Sequence, residues 1–473
     1  MNAHSRNWAW LHNLRTRIVS ALILASFTII AQADWQWSDH VDILGPTGDE
    51  STVAFPQVAV EPVSGIATAT WIDTTTFMLE TVQAIRFRDG QWGDRQTISQ
   101  SSGPMRPGYV ELPPVRGLAA QVAAGKNGNA TVAWTSLLPN HYGLASAMWK
   151  KTKNRWLDPT VTPMTNRGVG DAPQIHIGQD QNGIVTAVWR GTALDGANLI
   201  QSSRFTNGKW GKPKTLFQGS SLSEPQLAVA KNGAVMVLWT VYEDENHARI
   251  VSRLFSGGQW KPSYNFSDSF AAISRVNTSP SIISHRSGSF TAVWHEYDQY
   301  GGENSRIMIR RYISGKGYEA PYAVAEIKER NLYHPAVASN ESGTVITVVY
   351  SAKTFTTEGK VMNTVMASTK GVTGDWAQPL YIGLSGELLP VPQVAMDGEG
   401  NSTVVWQDYG TFADRWRVST TRHNLGSWTY KQVVLCVDCS SPSLAVDKAG
   451  NAWAVWVADG QVQSKRGGAT PVQ

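Results

Sequence analysis

The sequence predicts an all-β chain: an eight-bladed β-propeller of four-stranded antiparallel blades, closed by an N-terminal strand that joins the last blade. Three observations predict it. A hairpin phrase returns eight times, an aromatic phrase follows each hairpin, and the chain begins and ends on complementary fragments of a repeat.

The hairpin phrase is clearest at 392–406 and 442–456, where Pro, a short alternating segment, a turn Gly and a closing Trp recur in register. Other copies span 56–71, 173–189, 225–239 and 280–294, with one lacking Pro that ends at Trp134. The Gly stands six residues before the closing position at Gly65, Gly128, Gly183, Gly233, Gly288, Gly343, Gly400 and Gly450. In the copy at 335–350 that spacing puts Val349 where the others carry Trp. The alternation of Gln226, Leu227, Ala228 and Val229 has the period of two expected of a strand. The Gly supplies the positive φ of a tight turn. The leading Pro has no N–H to donate, so it suits the start of a strand.

The second phrase brackets a turn with two aromatics: Phe87 and Trp92, Phe205 and Trp210, Phe255 and Trp260. Trp156, Trp376 and Trp428 mark further copies, with Tyr318 substituting in the fifth. Each repeat thus holds four strands, a to d, over about 55 residues. The eighth repeat stops after a third strand near 462–465, while 35–44 reads as an unattached d strand ahead of the first repeat. Donating that strand to the last blade closes the circle and removes two open edges. A seven-bladed ring with the sixth repeat displaced is the alternative. Of the 20 Trp, most serve this architecture by closing b strands or opening d strands.

Residues 1–33 have the layout of a secretory signal: Arg6, Arg15 and Arg17, then an apolar run over 18–30, then Ala31, Gln32 and Ala33. The run is too short to cross a bilayer. The expectation is an exported protein, periplasmic or extracellular, with residues 34–473 forming one propeller domain and no membrane span. Removing those three Arg from 41 Lys+Arg leaves 38 against 37 Asp+Glu. A near-neutral chain without a basic cluster excludes nucleic acid as a partner.

Cys436 and Cys439 are the two cysteines, and in an oxidising compartment they are expected to pair across a tight loop. Two thiols do not make a zinc site, and no His spacing supplies further ligands. The segments 397–401 and 447–451 carry Asp, Gly and Asn but lack the spaced ligands of a calcium loop, so they read as Asx turns. The expectation is therefore no metal and no cofactor.

A Pro, an inner strand, a turn Gly and an aromatic-ended b strand together resemble the repeats of TolB-like and other exported bacterial propellers. More loosely, they are similar to sialidase-type propellers. The sialidase Asp-box has Gly three residues before Trp, whereas here it is six, and Met105, Arg106 and Pro107 only partly match that family's Arg-Ile-Pro element. What the resemblance implies is architectural, with ligands approaching the rim formed by the b–c and d–a connections.

Those connections are long and variable, and binding residues concentrate on such loops. The b-strand exits carry the candidates: Arg190 after Trp189, Tyr242 and Glu243 after Trp239, and His295, Glu296 and Asp298 after Trp294. Asp408 and Tyr409 follow Trp406, with Trp416 just beyond the same loop. Their chemistry suits a glycan or a protein partner from the envelope or extracellular space, bound by a monomer without catalysis. Carboxylates and Tyr at the channel mouth also suit an exo-acting glycosidase or a lyase, and a scaffold in an envelope complex is the third reading.

Overall fold

The computed structural model describes residues 35–46, 51–75, 80–99, 120–138, 141–167, 172–193, 195–244, 246–267, 275–298, 304–328, 332–355, 359, 361–372, 374–386, 388–409, 415–424, 426–429 and 432–469. The predicted leader lies outside them. No helix among the described residues is long and apolar enough to cross a membrane.

The architecture is all-β and propeller-like, built from antiparallel sheets in which each repeat's strands are sequential neighbours. The fourth repeat is representative. Its strands a, b and c are Gln226–Val229, Val235–Tyr242 and Ala248–Ser256. Strand d comes in two pieces, Gln259–Trp260 and Tyr264–Asn265, both paired with c. Strand b is buried at every residue except Tyr242. It lies between neighbouring layers, so it reads as a continuous apolar run and not as an alternation. Six sheets have four or five strands. One has ten, holding the fourth and fifth repeats through a single parallel pairing of Ala248 with Val276.

Packing between repeats explains the tryptophans. Trp71, Trp189, Trp239, Trp294, Trp406 and Trp456 are fully buried within the b strands, which run on for two to four residues beyond each of them. Trp294 packs on Phe266 of the preceding repeat, with ring centroids 5.8 Å apart. The second phrase is an edge-to-face pair linking c to d, at 5.4 Å for Phe87 and Trp92 and 5.3 Å for Phe205 and Trp210.

The first and last described strands pair. Gln36 and Trp37 pair with Gly468 and Gly467, and Asp42 and Ile43 pair with Ser464 and Gln463. Val58, Trp71 and Phe87 of the first repeat share a core cluster with Trp453, Val455 and Val462 of the last. The a–b turns also touch in series: Gly398 N–H donates to the Lys448 carbonyl at 3.0 Å, and Lys448 N–H to the Pro62 carbonyl at 2.8 Å. At Gly450, with φ +88°, a Cβ would lie 3.0 Å from Asp397 Oδ2, so both the turn and its neighbour require glycine.

Two local expectations need correction. In the sixth repeat Tyr350, not Val349, occupies the Trp slot. The turn there closes from Asn340 N–H to the Val345 carbonyl, one residue longer than Asp397 to Asn401 in the seventh. Tyr350 is consequently fully buried among Val293 and Ile307 of the fifth repeat. Nor does the leading Pro always start a strand. In four repeats the residue before it has a positive φ, namely Phe55, Ser279, His334 and Ser441. Each sits at a register shift inside a longer strand. A bulge absorbs the missing N–H and carries strand a onward to the b–c rim.

One repeated device has no signature in the hairpin phrase. An arginine on strand c stacks on an aromatic ring of the adjoining layer: Arg86 over Trp149 at 4.8 Å, Arg204 over Phe255 at 3.9 Å, Arg422 over Trp35 at 4.4 Å and Arg466 over Phe87 at 5.3 Å.

Candidate functional site

The carboxylates at the b-strand exits are held by arginines on strand c. Glu296 stands directly opposite Arg306 in the b–c register and accepts from it at 3.0 Å, and Arg306 also reaches Glu326 at 3.1 Å. Asp408 stands opposite Arg417, which donates at 2.7 Å, and Gln432 Nε2 donates to its second oxygen at 3.1 Å. Glu243 pairs with Arg249 at 2.6 Å. These are cross-strand ion pairs that fasten the outer ends of the hairpins. A two-carboxylate hydrolase needs its acid and base directed at the substrate, whereas these carboxylates are engaged by guanidiniums.

Tyrosine and histidine converge instead. The His295 ring stacks on Tyr297 with centroids 5.0 Å apart and meets Tyr333 in a tilted contact at 5.4 Å. His295 is buried, and its Nε2 meets Ser305 Oγ at 2.8 Å. Burial, reinforced by nearby His334, pushes its pKa down to about 4, so the ring is neutral. Burial also raises the Tyr297 phenol above its ordinary value, with Tyr242 and Tyr333 close enough to add to the effect. Tyr242 itself is 37% exposed. The b exits of the fourth and fifth repeats and the a strand of the sixth, Leu332–Ser339, thus present three phenols around one neutral imidazole.

His334 completes the group. Its backbone is left-handed at φ +47°. Its Nδ1 lies 3.2 Å from the Pro390 carbonyl, which also accepts from the Ser351 hydroxyl. A carbonyl only accepts, so Nδ1 carries the proton, and in the neutral ring Nε2 carries the lone pair. The equivalent position in the fourth repeat, before Pro225, holds Glu224. Burial raises its carboxyl while Arg190, 2.8 Å away, pulls it down. Arg190 also donates to the Leu222 carbonyl at 3.0 Å, so both residues stand where strand a meets the rim.

The remaining candidates lie apart from this group. Tyr409 and Trp416 are direct cross-strand partners in the seventh repeat, packed edge to face at 5.5 Å, and Trp416 is 44% exposed. Asp298 ends the fifth b strand opposite Arg275 in the backbone register. Cys436 and Cys439 are joined, with Cα atoms 6.1 Å apart, across the step from the seventh repeat to the eighth. Asp397 Oδ1 accepts the N–H groups of Glu399 and Asn401, and Asp447 caps its own turn through Asn451. Those carboxylates are consumed by the turns, and no metal-holding group of three or more His, Cys, Asp or Glu occurs among the described residues.

Reading the b exits alone misses Glu224, Tyr333 and His334, because they precede the hairpin phrase. The residue before each repeat's Pro is the signal that locates them.

No family model and no curated protein matches the chain. Among solved structures it is similar to a PL25 polysaccharide lyase, an ulvan lyase, at 10% identity and a TM-score of 0.48, covering 82% of this chain and 96% of that one. A Hadza microbial sialidase matches at 13% identity and 0.40, over 70% of this chain and 74% of that one. The α-L-arabinofuranosidase of Fusarium graminearum matches at 14% identity and 0.41, over 74% and 92%. None of these likenesses assigns an activity to this chain.

Proposed function

We propose that the chain is an exported eight-bladed propeller that acts on a polysaccharide at the mouth formed by Tyr242, Tyr297, Tyr333 and His334, by acid–base elimination. The carrying observation is the convergence of three phenols and a carbonyl-anchored imidazole, while Glu243, Glu296 and Asp408 are committed to arginines. The eight-bladed ring is supported by the pairing of 36–37 and 42–45 with the last strand. Export is supported by the leader alone.

In this reading His334 Nε2 removes the proton at C5 of a uronate residue. The C4–O4 bond breaks, a C4=C5 double bond forms, and the Tyr297 phenol supplies a proton to the departing oxygen. A base that presents a lone pair and an acid held protonated by burial are what such a reaction requires. His295 touches neither proton and positions the two phenols through its ring contacts with Tyr297 and Tyr333. A second reading, binding without turnover, is favoured by the exposed Trp416, held edge to face by Tyr409, an indole of the kind on which a sugar ring can stack.

The test is incubation of the 34–473 protein with polyuronates and with neutral polysaccharides, following reducing ends and the ultraviolet absorbance of unsaturated uronate. New reducing ends with that absorbance support elimination. Reducing ends without it mean hydrolysis and overturn the mechanism. Binding without either product leaves the second reading.

A further inference from the structure

We infer that the opposite face of the propeller carries a binding site for a tetrahedral oxyanion, the sulfate or phosphate group of a sugar or a free ion, at the junction of the last, first and second repeats. A cavity of about 490 Å³ opens there, at the far end of the b strands from the tyrosine group, among the a–b turns. Its cationic lining is Arg86, Arg88, Lys151 and Arg466. The volume suits a charged group together with a sugar-sized body.

The arginines of the equivalent rungs are answered differently. On the same rung of the seventh repeat, Arg422 meets Asp397 Oδ2 at 2.7 Å, a buried pair. Arg86 is equally buried, yet its bonds go to neutral acceptors, Thr68 Oγ1 at 3.2 Å and the Gly128 carbonyl at 2.6 Å. The acid of that turn, Glu61, faces its own backbone and accepts from Ser64 N–H at 2.6 Å. Arg466 meets the Asn451 amide at 3.0 Å, and its Nε is buried without a partner. Arg88, on the same face of strand c as Arg86, is bound through Nη1 to Asn154 Oδ1 at 2.8 Å. Burial, with the charge of Arg88 adding to it, depresses Arg86 to about 10.

Two carboxylates also line the cavity. Asp447 is spent on Asn451, accepting its N–H and its Nδ2 at 2.8 Å each. Asp89 is exposed at a c–d turn. The cavity is therefore net cationic by two, with guanidinium donors that match oxyanion geometry. It shares no residue with the tyrosine group, so either assignment fails or survives without the other.

The test is titration calorimetry of the 34–473 protein with sodium sulfate and sodium phosphate against sodium chloride at equal ionic strength. It is repeated on Arg88→Ala and Lys151→Ala, both at exposed positions, and on Arg88→Lys, which keeps the charge. The expected result is saturable binding of sulfate or phosphate, weakened about tenfold or more by each alanine variant and partly kept in Arg88→Lys. A sulfated oligosaccharide and its desulfated form then separate a sugar-borne group from a free ion. Heats no different from chloride, or binding unchanged in both alanine variants, would overturn the site.

Discussion

His334 donates its Nδ1–H to the Pro390 carbonyl at 3.2 Å from a backbone held at φ +47°. A left-handed conformation at a non-glycine residue costs about 1–3 kcal/mol and persists where the surroundings fix it. Here Pro335 follows, a bulge surrounds the residue, and the acceptor belongs to the start of the next repeat. The result is an imidazole with one nitrogen anchored and the other available. His334→Ala should lower kcat by about 10²–10⁴-fold, with KM and the unfolding midpoint little changed. Turnover at the parent rate would remove His334 from the reaction.

Tyr297→Phe keeps the ring that stacks on His295 and deletes only the phenolic proton. If that proton goes to the leaving oxygen, kcat should fall by about 10²-fold or more while thermal stability is retained. Tyr409→Phe is the matched control, because its ring contact is with Trp416 in a different repeat. Equal loss in both variants would point to a general effect on polysaccharide binding, and no loss in either would dismiss the acid.

The repeat was legible because its cause is local: a turn that needs glycine and a b strand buried on both faces recur wherever the fold recurs. The site was only half legible. Tyr242 and His295 stand at b exits that the repeat itself locates, whereas Tyr333 and His334 come from the next repeat's a strand and Glu224 stands just ahead of strand Gln226–Val229. The acids looked free in sequence because their partners, Arg306 and Arg417, lie across a loop on strand c, where only the register reveals them. Tyr350 takes the Trp slot in place of Val349 for a similarly physical reason: a single extra turn residue shifts the side chain that faces the preceding repeat.

That register makes Asp408 a stability residue. It is fully buried and bound to Arg417. Asp408→Asn should cost about 3 kcal/mol by leaving a guanidinium without its counter-charge. Adding Arg417→Met should recover part of that loss, giving a positive coupling in a double-mutant cycle read by denaturant unfolding. A catalytic Asp408 would behave otherwise, with activity lost in Asp408→Asn at unchanged stability.

Acid should unfold the protein through its buried imidazoles. Burial lowers His285 to about 4, with Arg311 adding to the effect, and lowers His295 to about 4. Both values lie below the unfolded value of about 6.5, so between them the unfolded chain binds more protons. Stability is then complete above pH ~6.5 and falls toward pH 4, by on the order of 3 kcal/mol per imidazole. Denaturant midpoints at a series of pH values measure the slope. His285→Gln should flatten it by one imidazole's share, and an unchanged slope would assign the acid limb to other groups.

The N-terminal segment pairs with the last strand, and its removal tests the proposed ring. Trp35 Nε1 donates to the Gly450 carbonyl at 2.8 Å, its ring lies under Arg422, and Gly467 has no side chain because a Cβ there would fall 2.5 Å from that indole. The strand therefore fills the outer edge of the last sheet and at the same time covers an arginine of the seventh repeat. Deleting residues 34–46 should uncover the edge of Gln461–Gly468 and leave Arg422 without its ring. An open edge pairs with other chains, so the truncated protein should associate in a concentration-dependent way and unfold at lower denaturant. A peptide spanning 35–46 should restore the midpoint by mass action, in proportion to its concentration. Sedimentation and denaturant curves with and without the peptide read both effects. If the truncated chain stays monomeric at full stability, the strand is an accessory to a sheet that is complete without it.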